Sequence, residues 1–358
     1  MKIGVLGAGA VGSFLGGLLA LRYGPENVIL VGRGAHAETV RTRGYLVLSA
    51  KGKVHKIPVQ FELNPRHLAE TNLVIFCVKS HATAEALHQA HPYLQNATLV
   101  VIQNGICDYF FSERIPQDRL VAGTTAINVA ITAPGELALQ LDGITMLGPM
   151  FPQAVQAAQA ATDVLAGGGL RAFFTPEIHG IRYTKLGINA VGYVSCLSAS
   201  NFISEGLLCR EWRRRIAIPL LQEILGVYQA AGIQPRPIPG RSSLAGLARV
   251  CRTLDLPVIG NLLGWGLRRL FDRRPIIFSL YQDLLAGKKT EVDYIHGEIL
   301  RLAKLANQPA PLCELVIHLV HELEKKPPGT FLTREEVIDR FSTAAVAPRS
   351  AGPAPRKE

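Results

Sequence analysis

Two stretches in the second half of the chain carry side chains able to move a proton. The first runs Tyr183-Thr184-Lys185-Leu186-Gly187-Ile188-Asn189-Ala190-Val191-Gly192-Tyr193. It is small, apolar and helix-compatible, yet Lys185, Asn189 and Tyr193 recur at i, i+4 and i+8 and so share one helix face. A lysine is seldom fully buried without a partner. Here Lys185 is either an end residue that snorkels to water or a site lysine whose pKa its surroundings shift. The second stretch is Ser279-Leu280-Tyr281-Gln282-Asp283, followed by Lys288-Lys289-Thr290-Glu291-Val292-Asp293. Thr290 with Asp293 three residues on has the form of a capping box, Asp replacing the usual Glu or Gln. Glu291 then falls in the first turn of a helix, where the dipole stabilises a carboxylate. That pattern reads either as a plain helix start or as a carboxylate set beside a site. An ammonium paired with a carboxylate in an apolar cleft suits general-acid chemistry on a carbonyl, because a developing alkoxide needs a proton donor and positive charge beside it.

A third constellation opens the chain. Ile3 to Leu6 is an apolar run of strand length, Gly7-Ala8-Gly9-Ala10-Val11-Gly12 follows at once, and Ser13 to Tyr23 is small, apolar and helical. This is G-x-G-x-x-G in the strand–turn–helix context that gives the motif meaning. Gly7 permits the tight turn, Gly9 lets the backbone approach a pyrophosphate, and Gly12 lets helix and strand pack closely. The free amides of the helix start favour the phosphates. The next strand, Val28 to Val31, ends at Gly32-Arg33. An NAD site usually carries Asp or Glu near this point, to hold the ribose 2′-hydroxyl. Arg33 repels nothing and pairs with a 2′-phosphate, which favours NADP; the bland alternative is a surface arginine. Two later apolar strands end in Lys79-Ser80 and in Gln103-Asn104-Gly105. Both ends lie at the ligand edge of a parallel sheet, with an amide side chain ready to hydrogen-bond, although Asn104-Gly105 alone is also a plain turn.

The elements that must position these residues fall into two halves. At 358 residues, 48% hydrophobic and 18% charged, the chain suits two domains. The reading is α/β: an N-terminal Rossmann dinucleotide-binding domain over 1–175, then an all-helical C-terminal domain over 176–342, expected to carry substrate and dimer contacts, and a disordered tail over 343–358. In the first half, 45–61 reads as a hairpin, and the strands within 119–131 and 136–147 are expected to complete the sheet in antiparallel fashion. Helices are expected over 177–200, 204–232, 241–253, 259–271, 276–286, 290–306, 311–326 and 333–344. No apolar run reaches a membrane span and no signal-peptide core is present, so a cytoplasmic protein is expected. The six cysteines are scattered, without C-x-x-C pairs, and read as reduced structural thiols; no cluster has metal-ligand spacing. The net charge is +10, and 235–275 holds eight Arg against Asp255 and Asp272. With no nucleic-acid motif present, a phosphorylated cofactor and an acidic substrate account for part of that excess.

Taken together, these stretches resemble the ketopantoate reductase family (2-dehydropantoate 2-reductases) over roughly residues 1–325. The Gly7–Gly12 fingerprint, Lys79, Gln103-Asn104-Gly105, Lys185-x-x-x-Asn189 and Ser279-x-x-Gln282-Asp283…Thr290-Glu291-Val292-Asp293 appear in that family's order. The resemblance implies an NADPH-dependent reduction of a 2-oxo acid to a 2-hydroxy acid, in the cleft of a Rossmann domain joined to a helical one. It implies Lys185 as the general acid and Glu291 as the group holding the substrate hydroxyl and the lysine. Ser279 would contact the substrate carboxylate, and Asn104 and Asn189 would orient substrate and cofactor. Arg33 and Lys79 would hold the 2′-phosphate, and a homodimer is expected. Two departures stand out. Pantoate-forming members carry Asn-Pro two turns past the lysine, where this chain has Tyr193-Val194, and a further family asparagine has no clear counterpart beyond nearby Asn201. Residues 240–275 form a longer, more basic insertion, read first as a solvated helical segment, next as a partner surface and last as a membrane-surface patch, so no membrane partner is expected. The alternatives are a reductase of a different 2-oxo acid, an opine-like or 3-hydroxy acid dehydrogenase, and a non-catalytic NADPH-sensing regulator.

Overall fold

The structure, a computed structural model, describes residues 1–240, 243–271 and 278–346. The chain divides into two compact units, one over Met1–Tyr183 and one from Thr184 onward.

The first unit contains twelve strands: β1 (Ile3–Leu6), β2 (Val28–Val31), β3 (Tyr45–Ala50), β4 (Lys53–Pro58), β5 (Gln60–Glu62), β6 (Leu73–Phe76), β7 (Thr98–Ile102), β8 (Leu120–Thr125), β9 (Asn128–Ala133), β10 (Glu136–Leu141), β11 (Thr145–Pro149) and β12 (Ala172–Phe174). Eight of them form one sheet in the order β12-β11-β8-β7-β6-β1-β2-β5. From β5 through β8 all neighbours are parallel, and only the β8–β11 pair is antiparallel. Strands β1 and β6 are buried along their whole length, as parallel strands covered on both faces must be. Their apolar side chains join those of the helix Ala10–Tyr23 in the core.

The β3–β4 hairpin forms as the alternation predicts, with Lys51 and Gly52 at its tip, both at positive φ. The expectation for 119–147 needs correction. The antiparallel completion holds for β11 against β8, but β8 itself runs parallel to β7, and β9 and β10 leave the main sheet to form a second one, in the order β4-β3-β10-β9. The reason is pairing over a distance: β10 lies parallel to β3, with Leu137 opposite Leu48, and nothing local in either stretch encodes that choice.

The second unit is helical among its described residues. The helix expected over 204–232 is in fact segmented. Phe202–Leu207 and Arg213–Ala217 are π-helical, a short α-turn separates them, and regular helix resumes over Ile218–Ala230. Asn201 caps the first segment: its Oδ1 accepts from Ile203 N at 2.9 Å and Ser204 N at 3.1 Å. The basic insertion folds as two helices, Leu244–Thr253 and Pro257–Phe271; Arg241, Asp272, Arg273 and Arg274 lie outside the described residues. The last helix, Arg334–Val346, runs into the stretch expected as a tail, and 347–358 lie outside the described residues. No helix among the described residues is long and apolar enough to cross a membrane.

Candidate active site

In the first unit the candidate site residues sit where the strands end. β1 lies between β2 and β6, so the strand order reverses there and a crevice opens at the carboxyl ends. Each glycine of the fingerprint has its own physical reason. Gly7 has φ +88°, and a Cβ on it would lie 2.5 Å from Val78 N and 2.7 Å from Cys77 C, at the end of β6. Gly12 faces Gly7 O, which a Cβ would approach to 2.5 Å. A Cβ on Gly9 would meet nothing within 4 Å, so its surroundings are open space. The first intrahelical bond runs from Ser13 N to Gly9 O, 2.9 Å, which leaves the amides of Ala10, Val11 and Gly12 without an i−4 carbonyl. Gly7 and Ala8 donate instead to Val31 O at 3.0 and 2.9 Å, fixing the loop against the end of β2. Open space at Gly9 beside a bare helix N-terminus fits a dinucleotide pyrophosphate. Arg33 follows at the end of β2 and is exposed, as is Lys79 at the end of β6, while Asn104 beyond β7 is half-buried.

Side chains behind this edge lock it, and sequence reasoning missed most of them. The amide of Gln103 is spent on scaffolding: Nε2 donates to Val78 O at 2.6 Å and to Thr83 Oγ1 at 2.7 Å, and Oε1 accepts from Cys107 Sγ at 3.3 Å. Gln103 thus clasps the ends of β6 and β7. His36 Nδ1 accepts from Gly135 N at 3.0 Å, so the neutral ring carries its proton on Nε2. That nitrogen meets Ser13 Oγ at 3.0 Å, and Ser13 Oγ donates to Ala8 O at 2.9 Å. Burial holds the His36 pKa below its ordinary value, consistent with a neutral ring. The chain of bonds ties the glycine loop to the turn between β9 and β10. Arg182 pairs with Asp108 through two bonds of 2.7 and 2.8 Å. Burial works against the guanidinium charge there, and the Asp108 carboxylate more than restores it.

In the second unit the helix Ile178–Cys196 presents Lys185 and Asn189 half-buried and Tyr193 buried. The structure brings Tyr193 and Ser279 together: the two hydroxyls are 3.0 Å apart. Burial pushes the Tyr193 phenol well above its ordinary pKa and the nearby Glu291 adds to that, while the Ser279 bond pulls the other way. Tyr193 is therefore a neutral hydrogen-bonding group beside a carboxylate. Gly192 makes room for Phe278, whose ring a Cβ would approach to 2.0 Å; Phe278 in turn packs edge-on against Tyr193 at 6.1 Å.

Glu291 is buried at the N-cap of the helix Val292–Leu305 and makes no capping bond. The capping-box expectation fails in its second half. Thr290 Oγ1 accepts from Val292 N at 3.3 Å, but Thr290 N donates to Glu324 Oε1 at 2.8 Å. Asp293 instead meets His321 at 3.0 Å. A carboxylate from a remote helix has taken the reciprocal role. His296, fully buried on the same helix, donates from Nε2 to Ala190 O at 3.0 Å. It braces the helix that carries Lys185 and Asn189. All six cysteines are free, and burial pushes the Cys196 thiol up to about 12, as suits structural thiols.

Comparison with known proteins shows the family. Residues 3–151 match the family model described as ketopantoate reductase PanE/ApbA, and residues 177–324 match the model of its C-terminal part. The chain belongs to the ketopantoate reductase family. A 2-dehydropantoate 2-reductase of Pyrococcus horikoshii is 27% identical over 339 residues, which covers 92% of this chain and 100% of that relative. Among solved structures, a ternary complex of D-mandelate dehydrogenase with NADH and anilino(oxo)acetate has a TM-score of 0.74 at 23% identity, covering 90% of this chain and 98% of that one. A PanE/ApbA family ketopantoate reductase from Ralstonia eutropha has a TM-score of 0.70 at 22% identity, again over 90% and 98%. At these identities the structural likeness shows the fold, a dinucleotide-binding Rossmann-like unit with a helical C-terminal part. The family is one of oxidoreductases acting on a CH–OH group.

Proposed function

We propose that this chain catalyses the NADPH-dependent reduction of a 2-oxo acid, 2-dehydropantoate, to the corresponding 2-hydroxy acid. The observation that carries this reading is the helix face on which half-buried Lys185 and Asn189 lead to Tyr193, itself held by Ser279 beside Glu291. The open surroundings of Gly9 and the arginine at the end of β2 support the choice of a phosphorylated dinucleotide. When bound, the nicotinamide supplies a hydride. The chain's own residues do the rest. Ala8, Gly9, Ala10, Val11 and Gly12 cradle the pyrophosphate, and Arg33 and Lys79 hold the 2′-phosphate. Lys185 donates a proton to the substrate carbonyl oxygen as negative charge develops there. Glu291 keeps the ammonium charged and holds the product hydroxyl, Ser279 binds the carboxylate, and Asn104 and Asn189 orient substrate and cofactor.

The test is loss of NADPH absorbance with ketopantoate, beside branched and aromatic 2-oxo acids and with NADH as control. Turnover of ketopantoate with preference for NADPH is the expected outcome. Silence on every oxo acid with NADPH still bound would sink the enzymatic reading and leave a sensor. A second reading rests on Tyr193, which is buried where pantoate-forming relatives carry an asparagine amide. A phenol there replaces an amide's carbonyl and NH2 with one hydroxyl already engaged by Ser279. The D-mandelate dehydrogenase of the same fold handles an aromatic acid. Activity on an aromatic oxo acid, lost in Tyr193→Asn, would select this reading.

A further inference from the structure

Five large apolar side chains stand exposed within ten residues: Leu256, Val258, Ile259, Leu262 and Trp265, from 49% to 71% accessible. Four of them belong to the helix Pro257–Phe271, where their spacing puts them on one face. The helix already has a packing face, and it is a different one. Gly260 is buried, and a Cβ on it would come within 2.5 Å of Leu254 O. Gly264 lies 3.8 Å from the side chains of Leu208 and Leu254 by the same measure. Small residues thus seat the helix, and the bulky apolar stripe faces water. A contiguous stripe of this kind marks an interaction surface, where apolar residues exposed singly do not.

The charged side chains on the two helices of the insertion are all arginines. Arg268 and Arg269 close the helix, both exposed, and the Arg269 guanidinium lies 5.4 Å from the centre of the Trp265 ring. Arg249 and Arg252 are exposed on the preceding helix. The sole acid from 235 to 271 is Asp255, and it is already neutralised at the root of the insertion. Arg214 donates to it at 2.8 Å and the buried Arg213 grips its other oxygen. The partner must therefore be anionic and also accept aliphatic side chains. A second copy docking this face on itself would set arginine against arginine. A nucleic-acid backbone offers phosphates but no apolar volume for Val258, Ile259 and Leu262. A bilayer interface offers acyl chains for the stripe, anionic headgroups for the arginines and the headgroup level that tryptophan prefers.

We propose that the helix Pro257–Phe271 docks the protein reversibly onto an anionic membrane surface, lying in the interface. The helix has 15 residues, too few to span a bilayer.

The chain carries its own reporter. Of its two tryptophans, Trp212 is buried and Trp265 is exposed. Mixing the full chain with vesicles of phosphatidylcholine and phosphatidylglycerol should cause co-sedimentation and a blue shift of Trp265 emission, both reversed by high salt. Vesicles of phosphatidylcholine alone should do neither. Replacing Arg268 and Arg269 by Gln should weaken partitioning by about fivefold per residue. Leu262→Glu alters an exposed side chain, so it should keep the thermal midpoint and abolish vesicle binding. Absence of binding to the anionic vesicles, or equal binding by Leu262→Glu, overturns the proposal. So does a protein that self-associates without lipid and becomes monomeric in Leu262→Glu, which would assign the face to a second copy.

Discussion

The two sets of candidate site residues are held by different means. In the first unit the backbone does the positioning. Strand ends place Arg33, Lys79 and Asn104, and the loop conformation places the amides of the fingerprint. In the second unit side chains do it, over long stretches of chain. Tyr193 reaches Ser279 across 86 residues, and His296 reaches the Ala190 carbonyl across 106. A backbone-built site is sensitive at its glycines and tolerant elsewhere. A site built by side chains is sensitive to every brace and to the protonation of each.

Three experiments would break or sharpen that contrast. The largest effect is expected at the chemistry itself. Lys185→Ala should lower kcat by about two to four powers of ten while NADPH affinity survives, because removal of a general acid costs that much. Undiminished turnover would remove the lysine from the mechanism. Next come the glycines. Gly7→Ala combines a left-handed φ with a clash against the end of β6 and should cost on the order of 3 kcal/mol in urea unfolding. Gly9→Ala meets open space, so it should leave stability within about 0.5 kcal/mol and weaken only dinucleotide binding. Equal stability losses for the two would mean that the loop is not positioned as described.

The smallest effect is that of pH on the brace of the second unit. Burial holds the His296 pKa down at about 4, against an ordinary 6.5, although its bond to Ala190 O pulls upward. Its Nδ1 is buried and has no partner among the described residues, so an added proton finds no acceptor. Between those two values the unfolded chain binds a proton that the native state refuses. Stability is therefore fully present above the ordinary value and falls as the pH drops through the window, by about 2 kcal/mol at pH 5. His296→Phe should lower stability at neutral pH and flatten that slope. An unchanged slope would show that other groups set the acid response.

This contrast also decides what the sequence reveals. The fingerprint is local: a strand, three glycines and a helix within about twenty residues carry their geometry with them, and so do the apolar strand ends at Lys79 and Gln103. The shared face of Lys185, Asn189 and Tyr193 is local too, since it needs only helical periodicity. What stays hidden is pairing at a distance. β9 and β10 alternate like any half-buried strands, and only their register against β3 sends them to a second sheet. Gln103 reads as a free amide until Val78 and Thr83 are seen to consume it. Nothing in the residues around His36 points to its partners, and its bonds to Ser13 and to Gly135 cross 23 and 99 residues. The π-helical segments at 202–217 follow no composition rule, because a bulge reflects how a helix fits its neighbours.

The small second sheet has two hairpin tips, and they differ in how much change they tolerate. Lys51-Gly52 projects from β3 and β4 with nothing near Gly52, and both residues are exposed. Extra residues, an epitope or a whole inserted domain at that tip would disturb at most the exposed Lys51–Asp142 pair, 3.5 Å apart. The tip at Ala133-Pro134-Gly135 is fastened by Gly135 N to His36, and through Ser13 to the carbonyl of Ala8. Lengthening it by one residue would pull on the glycine loop itself. For anyone grafting a label or a fusion partner onto this chain, the first tip is a handle and the second is part of the lock.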